Sequence, residues 1–149
     1  MDALRTQIVF DASDPHALAA FWAEALGYEH EDIDATVRGL VDAGAAPAEA
    51  TVEIDGQKRW ATLATLRHPD DPVSDDGVGT GRRILFQRVP EPKHVKNRVH
   101  IDIAVGGEAR EEHVTRLLRL GARVVREYDL PEGRWTAMVD PEGNEFDVE

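Results

Sequence analysis

A segment order that occurs twice leaves this chain few ways to fold. Strand-like alternation, a helical stretch closed by glycine, and about three further strand-like runs follow one another from Arg5 to Val89, and again from Val99 to Val148. Gln7 stands 20 residues ahead of Gly27, and His100 stands 21 ahead of Gly121. Identity between the halves is low, so the repeat rests on pattern. The expected product is an α+β chain of two βαβββ modules, each laying a helix on one face of its sheet. Module one spans about 4–90 with an extra helix inserted at about 33–43, module two spans about 98–149, and together they make one domain of residues 1–149.

In the first half, Ile8, Phe10 and Ala12 alternate with Gln7, Val9 and Asp11, which reads as a strand from Arg5 to Ala12 with one buried face. Asp14 suits an N-cap and Pro15 a first helical position, while Leu18, Phe21, Trp22 and Ala25 form an apolar stripe that Gly27 ends. Ile33, Val37, Leu40 and Val41 fall at helical spacing, with Asp32 as the expected cap and Gly44 as the stop. Asp55-Gly56, between Thr51–Ile54 and Lys58–Leu66, predicts a hairpin of two paired strands. His68 to Gly81 carries Pro69, Pro72 and the pattern Gly77-x-Gly79-x-Gly81. That pattern has neither the Lys-Ser/Thr of a phosphate loop nor a strand-loop-helix setting, so it reads as turn chemistry. Arg82 to Val89 is the closing strand, with Pro90 and Pro92 behind it.

The second half opens on Val99-His100-Ile101-Asp102-Ile103-Ala104-Val105. Its alternation puts Ile101, Ile103 and Val105 on one face and an imidazole and a carboxylate, two residues apart, on the other. This polar face is the best candidate wall of a site. A helix over about 108–120 follows, with Glu108, Glu111 and Glu112 in its first turns and Arg116 and Arg119 in its last, the order a helix dipole favours. Its apolar stripe is Val114, Leu117 and Leu118. Strands are expected at Ala122–Glu127, Arg134–Val139 and Asn144–Val148, the last two joined by Asp140-Pro141-Glu142-Gly143 in a type I turn.

Composition bounds the function. The chain has no cysteine, which excludes disulfides, thiolate metal sites and cysteine nucleophiles and fits a reducing cytoplasm. No apolar run approaches the roughly 20 residues of a membrane span, and Met1-Asp2-Ala3-Leu4-Arg5 lacks the features of a signal peptide, so a cytoplasmic protein without a membrane partner is expected. A net charge of −12 would repel a polyanion and argues against nucleic acid as a partner. Lys93, His94, Lys96 and Arg98 form a short basic cluster, either a solvated linker or an anion contact at a pocket mouth.

Asn97 to Val105, the helix end Arg119-Leu120-Gly121-Ala122 and Asp140-Pro141-Glu142-Gly143-Asn144-Glu145-Phe146-Asp147-Val148 resemble the second half of a vicinal-oxygen-chelate protein. This is the superfamily of glyoxalase I, bleomycin-resistance proteins and extradiol dioxygenases. Gln7 to Asp11, Asp14-Pro15, Phe21-Trp22 and Ala25-Leu26-Gly27 resemble its first half, and Asp76 to Pro92 its glyoxalase-like branch. The resemblance implies two paired modules forming a half-open, cupped sheet with helices outside. It also implies a divalent metal held by side chains from the first and last strand of each module. Carried over by position, these are Gln7 and His100, then Gln87 and Asp147. Gln87 departs from the family pattern, and Asp147 stands where metal-binding members commonly have glutamate.

Two amides, one imidazole and one carboxylate form a thin set for Zn, Ni, Mn or Fe, and a metal-free polar pocket is the competing reading. Asp102 is the candidate catalytic residue, as a general base or as the partner that fixes His100, against the plainer role of a rim carboxylate. Trp60 and Trp135 are candidate substrate-binding walls, against a role in the core. Trp22 belongs to the core. His16, His30, His68, His94 and His113 are expected at the surface. The functional expectation is a small-molecule enzyme of lyase or dioxygenase type. The alternative is a metal-free protein that sequesters a ligand or antibiotic, as bleomycin-resistance proteins do. Either would act on a small-molecule ligand, and a homodimer is the expected assembly.

Overall fold

The computed structural model describes residues 4–149, so Met1 to Ala3 of the stretch read for a signal peptide lie outside the described residues. The chain divides into two compact units, one ending at Pro90 and one spanning Glu91–Glu149. Both mix helix and open sheet in an α+β architecture, and neither sheet closes into a barrel.

In the first unit, β1 (Ile8–Ala12) leads into α1 (Pro15–Leu26). Asp14 caps the helix, its Oδ1 accepting the N–H groups of His16 and Ala17 at 3.1 Å each, and Gly27 ends it in the left-handed region at φ 67°. Leu18, Phe21, Trp22 and Ala25 are buried, as their spacing required. Trp22 packs 5.3 Å from Phe10, which in turn stacks on Phe86. The strands β2 (Glu29–His30), β5 (Leu63–Arg67) and β6 (Arg83–Arg88) complete a sheet in the order β1-β6-β5-β2. Only its β1–β6 pair is parallel. Ala64, Leu66, Ile84 and Phe86 are buried on the side packed against α1, which leaves Leu63, Thr65, Arg83, Leu85 and Gln87 on the opposite face.

Between β2 and β5 lies an insertion of α2 (Asp34–Asp42), a short 3₁₀ turn, and the hairpin β3 (Thr51–Ile54) and β4 (Gln57–Trp60). The hairpin turn has positive φ at both Asp55 and Gly56, as Asp-Gly predicts. Three expectations need correction here. Asp32 does not cap α2; Ile33 occupies that position without a side-chain bond, while Asp34 binds Arg38 and the Lys58 amide. The strand expected over Lys58–Leu66 breaks at Ala61–Thr62, because β4 pairs with β3 whereas β5 pairs with β6. The strand expected from Arg5 starts only at Ile8, where pairing with Ile84 begins.

The loop from His68 to Gly81 explains its own glycines. A Cβ on Gly77 would lie 1.9 Å from the Asp32 carbonyl oxygen, and one on Gly79 would lie 2.8 Å from Arg67 Cβ. The loop is fitted against the chain rather than shaped for phosphate.

The second unit repeats the topology. Strand β7 (Ile101–Ile103), helix α3 (Arg110–Arg119), β8 (Arg123–Leu130), β9 (Gly133–Val139) and β10 (Glu145–Val148) form a sheet in the order β7-β10-β9-β8, again with the first and last strands parallel. Leu117, Met138, Phe146 and Val148 are buried. Leu118, expected in the stripe, is 46% exposed. Strand β7 is shorter than the alternation suggested, and β8 runs past Glu127 because Tyr128 to Leu130 keep pairing with β9. The Asp140 turn forms as expected: Gly143 N–H reaches the Asp140 carbonyl, and the buried Asp140 carboxylate accepts the amides of Glu142 and Asn144. Among the described residues, no helix is long and apolar enough to cross a membrane.

Candidate functional site

Parity on β10 decides which side chains leave the core. Phe146 and Val148 are buried, so Glu145 and Asp147 stand on the other face. The register sets Asp147 beside Asp102 of β7 and Ala137 of β9, and laterally paired residues share a face. His100 sits just ahead of β7. Its Nδ1 is 2.8 Å from Asp102 Oδ1 and 3.9 Å from Asp147 Oδ2. One ligand atom from each of His100, Asp102 and Asp147 can be chosen so that all lie within 4.8 Å of one another.

The electrostatics of the three differ. Burial pushes the Asp147 carboxyl above the ordinary aspartate value; Asp102 pushes the same way and His100 opposes it. Asp102 is more open, with its side chain 53% exposed against 23% for Asp147. Glu145, next on the same face, moves the other way. Its burial is outweighed by the Asn97 N–H and the Lys93 ammonium, which lies 3.1 Å away. Lys93 of the basic cluster is therefore paired with an acidic residue beside the site.

One step further along the sheet, Trp135 of β9 stands directly opposite Tyr128 of β8. The rings stack at 4.6 Å with 13° between their planes, and Arg126 lies 5.0 Å from the Tyr128 centroid. Arg126 pairs with Ala137, so Asp102, Asp147, Ala137 and Arg126 form one row across the sheet, acidic at one end and basic at the other.

The remaining expected site residues belong to the first unit. Gln7 Oε1 accepts from Arg83 Nη1 at 2.6 Å, and Gln87 Nε2 donates to Asp11 Oδ1 at 2.9 Å. Gln87 is paired in register with Asp11, four positions beyond Gln7, or about 13 Å along a parallel ladder. In the second unit the same offset, from His100 to the partner of Asp147, is two positions. Trp60 ends β4 and lines a cavity of about 210 Å³, and its carbonyl oxygen meets His16 Nε2 at 2.9 Å.

Sequence reasoning passed over four residues. Tyr128 and Arg126 were legible only if β8 was known to extend opposite Trp135. Glu31 and Arg83 form a buried ion pair at 2.6 Å, and nothing in the linear pattern distinguishes them from surface charges. Of the histidines expected at the surface, His30 is half-buried on β2, and burial, reinforced by Arg59, lowers its pKa.

The glyoxalase-like domain family model matches residues 7–149. A search of curated protein sequences gives no match. Among solved structures, the fosfomycin resistance protein FosX from Mesorhizobium loti is 10% identical with a TM-score of 0.63, the alignment covering 100% of this chain and 92% of that one. A variant of FosX from Listeria monocytogenes, complexed with Mn(II) and 1S,2S-dihydroxypropylphosphonic acid, is 14% identical with a TM-score of 0.61, covering 100% and 90%. The bleomycin-binding protein from Streptomyces verticillus, complexed with copper(II)-bleomycin, is 18% identical with a TM-score of 0.51, covering 99% and 96%. At these identities the likeness is one of fold, whereas the family match spans nearly the whole sequence. The chain belongs to the glyoxalase-like domain family of the vicinal-oxygen-chelate superfamily.

Proposed function

We propose that the protein is a metal-dependent small-molecule enzyme of lyase or dioxygenase type, with a divalent cation held by His100 and Asp147 on the second unit's sheet. The observation that carries this reading is the convergence of His100, Asp102 and Asp147 within 4.8 Å. One imidazole with carboxylates suits Mn, Fe, Ni or Zn. Burial of the Asp147 carboxyl supports it too, because a cation offsets the cost of keeping that charge. Asp102 meets His100 Nδ1 at 2.8 Å and so fixes the imidazole beside Asp147, as a carboxylate does for a metal-binding histidine. When bound, the ion would supply Lewis-acid polarisation of adjacent oxygens.

The chain's own groups do the rest. Asp102 orients His100 and, being open to solvent, takes a proton from a substrate positioned beside it. Trp135, backed by Tyr128, offers a flat wall for binding. The protein acts as a homodimer in this reading, which sedimentation at micromolar concentration tests: a monomer alone would refute it.

Calorimetric titration with Mn(II) decides the metal. His100→Ala and Asp147→Ala should abolish binding, while Asp102→Asn should weaken it about 10–100-fold. Less than about 0.1 equivalent of Zn, Ni, Mn or Fe(II) retained by the wild-type protein after loading would end the proposal. Gln7→Ala and Gln87→Ala serve as controls in the same titration: each amide is engaged within its own unit, by Arg83 and by Asp11, and unchanged affinity is expected.

A second reading, metal-free sequestration of a planar ligand, draws on the Tyr128–Trp135 stack and on the bleomycin-binding neighbour. It expects a thermal shift with planar cationic antibiotics that Trp135→Ala removes, at metal concentrations held near zero by chelator.

A further inference from the structure

The cavity in the first unit lies on the sheet face that α1 leaves uncovered. Leu63 and Leu85 form its floor, and Trp60, Ile33, Val37 and Leu40 its walls. Of these six, only Val37 is fully buried, so the other five present apolar surface to an open volume of about 210 Å³. Protein interiors leave few voids larger than a water molecule, and an apolar void of about 150 Å³ stays dry and accepts benzene.

One end of the cavity is polar. The Glu31 side chain is fully buried there; Oε1 accepts from Gly79 N–H and Arg83 Nε, and Oε2 accepts from Arg83 Nη2. Arg83 also donates from Nη1 to Gln7. Among the described residues three of its five N–H groups are thus engaged, and the Arg83 guanidinium has two donors to offer a ligand. Glu31 and Arg83 neutralise each other, and Asp76 adds an acidic group to the lining. A ligand carboxylate would face two acidic side chains, and a ligand cation would face the guanidinium.

We propose that this cavity is a binding pocket for a small, uncharged, flat molecule: a single aromatic ring carrying one carbonyl or hydroxyl oxygen that accepts from Arg83. The pocket is built by the insertion between β2 and β5, and it shares no residue with the His100–Asp102–Asp147 cluster. It stands whether or not that cluster holds a metal.

The test uses the full chain in EDTA, titrated with acetophenone, ethylbenzene and benzoate by ligand-observed NMR, with amide shifts mapped on the wild-type protein. Acetophenone should bind saturably and shift amides within 31–40, 60–65 and 78–85. Ethylbenzene, which lacks the oxygen, should bind at least about tenfold more weakly, since a hydrogen bond to a charged donor is lost. Benzoate should bind least. Leu40→Trp, at a partly exposed wall position, should remove acetophenone binding and leave the Mn(II) titration unchanged. Absence of saturation by acetophenone, shifts confined to other segments, equal binding of ethylbenzene, or tightest binding of benzoate would each overturn the proposal. If Leu40→Trp does not fold, the wild-type shift map and the three-ligand ranking decide alone.

Discussion

Asp147 is the residue at which the second unit's sheet pulls two ways. Its folded-state pKa is raised, first by burial and then by Asp102, so the native state holds this proton more readily than the unfolded chain does. The ionised carboxylate therefore weighs on the native state above its folded pKa, and that burden lifts as pH falls towards the unfolded value. Asp102→Asn removes the neighbouring negative charge. Carboxyl NMR should show a lower Asp147 midpoint in that variant than in the wild-type protein, and an unchanged or higher midpoint would show that Asp102 does not raise it. Asp71 shows the opposite sign. The Arg82 side-chain and backbone donors hold its pKa down to about 2, so this link is intact above the unfolded value near 3.8 and is lost as pH falls through about 2. The Arg82 amide should stay protected from exchange at pH 4 and lose that protection as pH falls through about 2; an amide already open at pH 4 would contradict the link.

At the scale of elements, the glycine loop and α2 make opposite predictions for one kind of substitution. Gly77 has φ +84° and faces the Asp32 carbonyl oxygen, so Gly77→Ala should cost at least about 2 kcal/mol. Gly39 sits inside α2 with nothing within 4 Å of an added Cβ, so Gly39→Ala should stabilise by about 0.5–1 kcal/mol. Urea midpoints of the two variants should move in opposite directions.

The same scale explains what the sequence made legible. Helix α1 was readable because cap, stripe and stop are all local to residues 14–27. His100 and Asp102 were readable as one face because strand parity sorts side chains without knowledge of partners, whereas Asp147 came from the family resemblance and joins them only through the pairing of β10 with β7. The break between β4 and β5 was not, since Lys58 to Leu66 looks continuous and only the two different partners separate it. Two-residue β2 leaves no period to detect. The Glu31–Arg83 pair joins residues 52 apart in sequence, a distance at which charge pattern carries no information.

For the whole molecule, the net charge of −12 is a standing self-repulsion. Raising salt from 0.01 to 0.15 M shortens the Debye length from about 30 Å to about 8 Å and so weakens that repulsion. Tm should climb with salt; a Tm that stays flat or falls would show that local pairs such as Arg83–Glu31 outweigh the global field.

The parallel pairing of first and last strands also sets when each unit can close. Ile8 meets Ile84 across 76 positions, whereas Ile101 meets Phe146 across 45. The loop-closure entropy separating these two lengths is only about 0.5 kcal/mol. An insertion long enough to hold a helix, a hairpin and the walls of a cavity thus burdens the first unit's closure very little. On a ribosome the consequence is one of timing: β1 emerges with its apolar Ile8 and Val9 long before β6 exists to cover its edge, so the first unit waits for its end while the second has less chain to await.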